Sequence, residues 1–366
     1  MKKIAILTFH NACNYGAFLQ AKALSEYIGK LPDVKVFVLN YKNKNVENNY
    51  SIKGIFSSSQ SLKSKFLKIA RIKDIVKRNK IFRQYQTETF NLIDLEKLRN
   101  ENFDKVVVGS DQVWNMRLTG GDLNYFLPFV QPECRVSYAA SAGQVNENID
   151  KNTIKEKLKN FSAISVREQG LSDLINELAI GRKAAICIDP VFLKTKYEWE
   201  SYAKTSKEFI NSPYILAFIM GVSKKADEVV NCALKYGLKT GNKVLLVADQ
   251  ERWYKYRNIK HYGVANPREF ISLIAGASCV FTNSFHATAF SIILNSPFYT
   301  EINIQNSERV KYLLNVVGLE SRAMYDGNLS SPYTTEINWE CVMYKLSPEI
   351  EKSKKFLDSV VLKMRG

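Results

Sequence analysis

Closely spaced cysteines are missing from this sequence. Its six cysteines are scattered along 366 residues, none forms a C-x-x-C pair, and the three histidines do not cluster with them. Zinc sites and disulfide frameworks both need such groups, so the pattern argues against either and predicts no metal site. Cys187 and Cys279 lie in apolar runs, which is typical of buried free thiols in a reducing compartment.

Long apolar runs are missing as well. No run approaches the roughly 18 apolar residues of a membrane-spanning helix, and the apolar stretch near Met1 is too short for a signal peptide. The chain is nevertheless 46% hydrophobic and has no low-complexity tract, so it can bury sizeable cores. We therefore expect a soluble, cytoplasmic protein whose length suits two domains.

Acidic residues are scarce in one segment. The net charge is +16, and between Lys53 and Arg83 ten lysines and arginines accompany a single acid, Asp74. Residues 62–83 have the apolar spacing of a long amphipathic helix. This segment is either a solvated basic face or a surface that attracts anions: phosphorylated substrates, nucleic acid or an acidic membrane. Because the sequence contains no recognisable nucleic-acid-binding module, we expect no nucleic acid partner.

Strand and helix patterns alternate along most of the chain. Short apolar runs such as KKIAILTF (2–9) and KVLLVA (243–248) are separated by amphipathic stretches, an order typical of open parallel sheets covered by helices. The pattern changes after IDPVFL (188–193). We predict an α/β protein of two Rossmann-like domains with parallel sheets and an interdomain cleft, comprising residues 1–195, residues 196–345, and a C-terminal helix over 346–366 that packs back on the first domain.

Sheets of this kind bind ligands at the carboxyl ends of their strands, where loops lead into helices. The first such loop, HNACNYGAFLQ, contains Asn14, Tyr15 and Gly16 at a predicted helix start. Its backbone N–H groups either bind an anion or form only a capped turn. The loop has no G-x-G-x-x-G pattern, which argues against a dinucleotide site.

Two further loops contain charged residues. VGSDQVWN places Ser110, Asp111 and Trp114 after a predicted strand; Asp111 either caps a helix or accepts a proton from a substrate hydroxyl, and an exposed Trp114 suits the apolar face of a sugar. In SVREQ, Arg167 ends a strand. It either binds a carboxylate or phosphate, or pairs with Glu168 or another local acid.

A fourth loop is TNSFHATAF, residues 282–290. Asn283 or Ser284 is a good N-cap, and the following FHATAFSIILN has the pattern of a helix. His286 would then lie in the first helical turn, where the helix dipole attracts anions. It is either a satisfied interior histidine or a proton donor and anion ligand.

In this order, the segments NYGAFLQ, VVGSDQVWN, VSYAASAG, SVREQ, IDPVFL and TNSFHATAFSIILNSPF resemble the polysaccharide pyruvyl transferase family over residues 3–322. The resemblance implies a glycosyltransferase-B-like fold and transfer of a pyruvyl group from phosphoenolpyruvate to two hydroxyls of a sugar, with release of phosphate and without a cofactor. The sugar belongs to a cell-surface polysaccharide or its lipid-linked precursor. By resemblance, His286 and Arg167 engage phosphoenolpyruvate, and Asp111 lies near the acceptor.

The sequence departs from the family pattern around the histidine. Family members often have Asp and Gly there, where this chain has Asn283 and Ala287. Other branches have an arginine two residues before the histidine, at the position of Ser284. Arg309 or Lys311, further along the chain, is the candidate replacement for that missing anion contact.

Two other functions fit the same residues: a nucleotide-sugar-dependent glycosyltransferase of the same fold, and a non-catalytic binding protein of a glycan pathway. The choice of donor distinguishes them. The basic helix over residues 62–83 would also allow peripheral contact with the anionic inner face of the cell membrane, where lipid-linked glycans are built.

Overall fold

We describe the protein from a computed structural model, which covers residues 1–48, 72–145, 149–203, 212–221, 223–248, 256, 259–302, 307–329 and 336–362. The chain divides into two compact units. The first unit consists of Met1–Tyr50, Phe82–Lys194 and Ser347–Gly366, and the second consists of Ser51–Ile81 and Thr195–Leu346.

The first unit contains a parallel sheet with the order β3-β2-β1-β4-β5. Bridges from Val136 to Ala163 and from Ala140 to Val166 connect β5 to a further parallel pair, β6 and β7. The strands are β1 (Lys2–Leu7), β2 (Val34–Leu39), β3 (Leu92–Ile93), β4 (Lys105–Val108), β5 (Arg135–Ser137), β6 (Ser165–Val166) and β7 (Ala185–Ile186).

The second unit contains a seven-stranded sheet with the order β10-β9-β8-β11-β12-β13-β14, parallel except for the last pair. In both units the first strand lies between the second and the fourth, so the strand order reverses there. Such a switch point is where ligands bind in doubly wound sheets. The strands are β8 (Tyr214–Ile219), β9 (Lys243–Ala248), β10 (Lys260–His261), β11 (Cys279–Thr282), β12 (Phe298–Glu301), β13 (Ala323–Tyr325) and β14 (Asn328–Leu329).

Helices connect most of the successive strands and bury their apolar faces on the sheets, which leaves β1, β4, β8 and β11 largely buried. The helices are α1 (Tyr15–Gly29), α2 (Lys44–Asn48), α3 (Ile72–Thr89), α4 (Leu95–Asn100), α5 (Met116–Thr119), α6 (Lys151–Leu158), α7 (Gln169–Glu177), α8 (Lys196–Ala203), α9 (Lys224–Thr240), α10 (Pro267–Ala275), α11 (Phe285–Leu294), α12 (Ser307–Val317) and α13 (Trp339–Leu362).

Two helices differ in extent from their sequence-based predictions. The C-terminal helix α13 begins at Trp339, seven residues before its predicted start at residue 346, and has Pro348 in its interior. Of the basic helix predicted over residues 62–83, residues 62–71 lie outside the described residues, while α3 extends to Thr89.

His10 provides a pH-dependent test of this fold. The residue follows β1 with 1% of its surface exposed, its Nδ1 lies 3.3 Å from the carbonyl oxygen of Thr8, and its ring packs edge-on against Phe90. Burial lowers the pKa of His10 to about 4 from its usual 6.5. The folded protein therefore keeps His10 neutral in a pH range where the unfolded chain protonates it, and this contribution to stability is present above pH 6.5 and lost as the pH falls toward 4.

We expect His10→Asn to reduce the loss of unfolding free energy between pH 7 and pH 5 by about 2 kcal/mol relative to the wild type. Urea unfolding at the two pH values measures the difference. His261→Asn is the control, because His261 is exposed on β10. An unchanged pH dependence in His10→Asn would contradict this account of His10.

Candidate functional site

The loop between β1 and α1 forms a capped helix start. The side-chain oxygen of Asn14 accepts a hydrogen bond from Ala17 N at 3.1 Å, so Asn14 is the N-cap of α1. Tyr15 is buried with its ring 5.3 Å from that of Phe82, and Gly16 is buried in the first turn. The structure thus contains the capped turn, and an anion-binding role of Asn14, Tyr15 and Gly16 stays a prediction.

Ser110 joins the strand ends at the first switch point. Its hydroxyl donates to Ala139 O at 3.0 Å, and its carbonyl oxygen accepts from the hydroxyl of Thr8 at 2.9 Å. Thr8 in turn accepts from the side-chain amide of Gln20. Ser110 is completely buried, so in this conformation it connects β1, β4 and β5 and does not face solvent.

Asp111 directly follows and has a φ of 76°, in the left-handed region that aspartate tolerates better than most residues. Its carbonyl oxygen accepts from Ser141 N at 3.0 Å, and its carboxylate accepts from Gln112 N at 2.8 Å. Asn115, not Asp111, caps α5, through a 3.0 Å bond from Leu118 N. The capping role considered for Asp111 therefore belongs to Asn115, while the Asp111 carboxylate stays partly exposed at the strand end.

Arg167 lies between two carboxylates of the first unit. Its Nη1 pairs with Asp189 Oδ2, and its Nη2 lies 3.8 Å from Asp111 Oδ1. Only 3% of the Arg167 side chain is exposed. The adjacent acid considered as its partner, Glu168, instead accepts from Ala142 N at 2.8 Å. The structure thus brings Arg167 and Asp111 together at the carboxyl edge of the sheet.

The expectation of an exposed Trp114 is wrong, because its side chain is completely buried. The indole stacks on Phe126, meets Phe161 edge-on and donates from Nε1 to Tyr125 O at 3.1 Å. A tryptophan satisfied in this way belongs to the core under the loop. In this conformation the ring presents no face to a sugar.

Asn283 joins the strand ends at the second switch point. Its side-chain oxygen accepts from Met220 N and its side-chain amide donates to Met220 O, both at 2.8 Å. The amide therefore continues the pairing of β11 with β8 by one step. An aspartate, which occupies this position in many family members, could accept but could not donate when ionised.

We expect Asn283→Asp to lower the unfolding free energy by about 1–3 kcal/mol, because Met220 O loses its donor and meets a carboxylate. Urea unfolding at neutral pH measures the loss. Asn231→Asp, on the exposed surface of α9, is the matched control. Equal stability of the two variants would show that the pairing with Met220 contributes nothing.

His286 lies in the first turn of α11, immediately beyond β11. Ser284 is the N-cap, with its hydroxyl 3.4 Å from Ala287 N. The rings of Phe285 and His286 are 5.2 Å apart, and the guanidinium of Arg309 lies 5.5 Å from the centroid of the Phe285 ring. His286 and Arg309 are 9% and 6% exposed. The second unit therefore groups a histidine and an arginine at the N-terminal end of one helix.

The other candidate cation, Lys311, lies instead over the ring of Tyr325 at 5.9 Å. Asp189 lies in the segment IDPVFL, where no local pattern marks it as a site residue. Within the described parts of the chain, no group of three or more His, Cys, Asp or Glu residues is arranged to hold a metal ion. Nor does any described helix have the length and apolar character needed to cross a membrane.

Comparisons with solved structures identify the fold. The chain is similar to the UDP-GlcNAc 2-epimerase from Neisseria meningitidis bound to UDP-GlcNAc, with a TM-score of 0.56, 11% identity and 100% of both chains covered. It is also similar to the UDP-GlcNAc 2-epimerase from Methanocaldococcus jannaschii, with a TM-score of 0.53, 12% identity, and 97% of this chain and 94% of that chain covered. These enzymes have the glycosyltransferase-B fold, so the predicted fold class is confirmed.

Comparisons of sequence identify the family. A search of curated proteins found no match. The family model described as polysaccharide pyruvyl transferase, in contrast, matches residues 14–300, which is most of the chain. The matched range includes Asn14, Asp111, Arg167 and His286. The chain therefore belongs to the polysaccharide pyruvyl transferase family.

Proposed function

We propose that the protein transfers the pyruvyl group of phosphoenolpyruvate to two hydroxyls of a sugar, forms a pyruvate ketal and releases phosphate. The sugar belongs to a cell-surface polysaccharide or its lipid-linked precursor. Family membership supports the proposal, and one observation carries it: His286 and Arg309 both contact the ring of Phe285, at the N-terminal end of α11. A buried cation, a histidine and a helix N-terminus together suit an anionic donor.

The donor has a phosphate and a carboxylate, and both need cationic or N–H partners. Arg309 supplies a guanidinium, which can bind either group through two parallel hydrogen bonds. The aromatic ring of Phe285 beneath the guanidinium limits its freedom to move. We infer that Arg309 serves in place of the arginine that other family branches have at the position of Ser284.

The reaction forms two C–O bonds and breaks one. His286 donates a proton to C3 of the enol, or it stabilises the departing phosphate while water supplies that proton. Asp111 accepts the proton of the first sugar hydroxyl as that oxygen bonds to C2. The bond from C2 to the phosphate oxygen then breaks, and phosphate leaves with the electron pair. The second hydroxyl bonds to C2 and loses its proton, so one proton enters the methyl group and two leave the hydroxyls.

A donor and acceptor panel tests the proposal. Phosphoenolpyruvate and nucleotide sugars are each offered with lipid-linked or synthetic galactosides, glucosides and N-acetylmannosaminides, and released phosphate or nucleotide is measured. We expect phosphate from phosphoenolpyruvate in the presence of one acceptor class. Nucleotide release from a nucleotide sugar would instead support a glycosyltransferase, and acceptor binding without consumption of any donor would support a binding protein.

We further propose that α3 contacts an anionic membrane surface. Lys73, Lys77, Lys80 and Arg83, the basic stripe, are exposed at helical spacing that keeps them on one side of α3, and Val76 beside them is 50% exposed. A cationic stripe with an exposed apolar residue suits the headgroup region of a bilayer. This location would place the enzyme at the inner face of the cell membrane, beside lipid-linked acceptors.

Replacing the four cations of the basic stripe with glutamine should weaken binding to phosphatidylserine vesicles by ~10²–10³-fold at low salt, since each surface cation contributes about 1 kcal/mol. Vesicle sedimentation at low and high salt measures this binding. The matched control replaces four exposed lysines elsewhere: Lys224, Lys239, Lys243 and Lys260. Equal losses in both variants would mean that the attraction follows net charge and not the stripe.

A further inference from the structure

Asp189 takes no part in the scheme above, although it is held firmly at the carboxyl edge of the first sheet. It lies three residues beyond β7 and is 1% exposed. Its Oδ1 accepts from Val191 N at 3.1 Å and caps the short turn Pro190–Leu193, while its Oδ2 pairs with Arg167 Nη1. Both oxygens of this carboxylate are therefore engaged.

The pairing with Asp189 fixes where the rest of the Arg167 guanidinium points. The guanidinium is planar, so holding Nη1 also sets the direction of Nη2, which lies 3.8 Å from Asp111 Oδ1. The pairing also neutralises the arginine. Asp111 therefore faces a cation that is already matched by a second, buried carboxylate.

We propose that Asp189 is a positioning residue for the transfer reaction, acting through Arg167 on Asp111. Asp189 holds Arg167 in the orientation that steadies the Asp111 carboxylate, and it offsets the positive charge that would otherwise make Asp111 a weaker base. Arg167 thereby acts on Asp111. The inference rests on the proposed function for the role of Asp111 as a base.

Other titratable groups of the described residues belong to this environment, among them Tyr138, which is buried near Asp189. Glu168 accepts from Ala142 N, next to Ser141, whose N–H donates to Asp111 O. Tyr125 is buried near Asp111, and burial, with help from nearby acids including Asp111, raises the pKa of its hydroxyl. Because Glu168 and Tyr125 are present in every variant below, the variants differ only in the charges of Asp189 and Arg167.

The ionisation of Asp111 tests the proposal without any substrate. Protein labelled with ¹³C at the aspartate carboxyls is titrated by NMR, and the Asp111 signal is assigned by its loss in Asp111→Asn. We expect Asp189→Asn to lower the Asp111 midpoint by roughly one pH unit and Arg167→Gln to raise it by a similar amount. The double variant, which restores the net charge of the cluster, should return close to the wild type. Asp150→Asn, at the exposed N-cap of α6, is the control.

Activity provides the second readout. In Asp189→Asn the acid limb of the pH profile of kcat should move with the NMR midpoint of Asp111. We also expect kcat to fall by roughly threefold to tenfold while KM for phosphoenolpyruvate changes little. If the Asp111 midpoints in Asp189→Asn and Arg167→Gln equal the Asp111 midpoint in the control, the inference is overturned. The inference is also overturned if KM for phosphoenolpyruvate rises in Arg167→Gln while the acid limb of the pH profile of kcat stays unchanged.

Thermal unfolding establishes which variants are folded. If Asp189→Asn does not fold, Arg167→Gln alone decides, because the proposal requires its Asp111 midpoint to rise. Shifted midpoints in a protein that releases no phosphate from phosphoenolpyruvate would contradict the proposed function and leave the coupling of Asp189, Arg167 and Asp111 in place.

Discussion

Replacing His286 with glutamine is expected to lower phosphate release from phosphoenolpyruvate by ~10²–10⁴-fold, the range that a general acid contributes. Glutamine is similar in size and polar, so the first turn of α11 and its Ser284 cap should persist. It cannot donate a proton as an imidazolium can. The loss should therefore appear in the rate and not in the unfolding temperature.

The two roles open to His286 predict different kinetics. If His286 protonates C3, kcat falls while KM for phosphoenolpyruvate changes little. If His286 instead holds the phosphate in the ground state as well, KM rises too. His261→Gln, on the exposed strand β10, is the control. Full activity in His286→Gln would remove the histidine from the mechanism.

Asp111→Asn should cause a comparable loss, also ~10²–10⁴-fold in kcat. Asparagine keeps the shape of the side chain, can still accept from Gln112 N, and tolerates the φ of 76° as aspartate does. Only the ability to take up a proton disappears. The backbone bond from Ser141 N is independent of the side chain, so the strand end should stay in place.

Steady-state kinetics with varied acceptor measure this second effect. We expect the wild-type kcat to fall at low pH and the kcat of Asp111→Asn to lose this pH dependence, because the base has been removed. Asp150→Asn changes the same chemical group on the exposed N-cap of α6 and should leave kcat within about twofold of the wild type. Similar rates in the two variants would rule out Asp111 as the base.

Long buried strands and well-capped helices could be predicted from the sequence. The helix α11 spans Phe285–Leu294 and so agrees with the predicted helical segment FHATAFSIILN, because a serine cap and a long apolar run define it. The two-residue strands β3 and β10 carried no such signal. Strands this short exist only because a neighbouring strand supplies their hydrogen bonds.

Side-chain partners across the sheet could not be predicted from local pattern. Trp114 is buried by Phe126 and Phe161, which neither the loop nor its composition indicates. Asp189 is a clearer case, because it lies 22 residues from Arg167 and meets it through the parallel register of β6 and β7. Only the strand order shows that the two segments share one edge.

The central claim is tested most directly by mass spectrometry of an acceptor sugar incubated with the purified protein and phosphoenolpyruvate. The account predicts that the acceptor gains the mass of pyruvic acid less one water, with one phosphate released for each acceptor modified. An acceptor that stays unchanged with phosphoenolpyruvate but gains a sugar residue from a nucleotide sugar would contradict it.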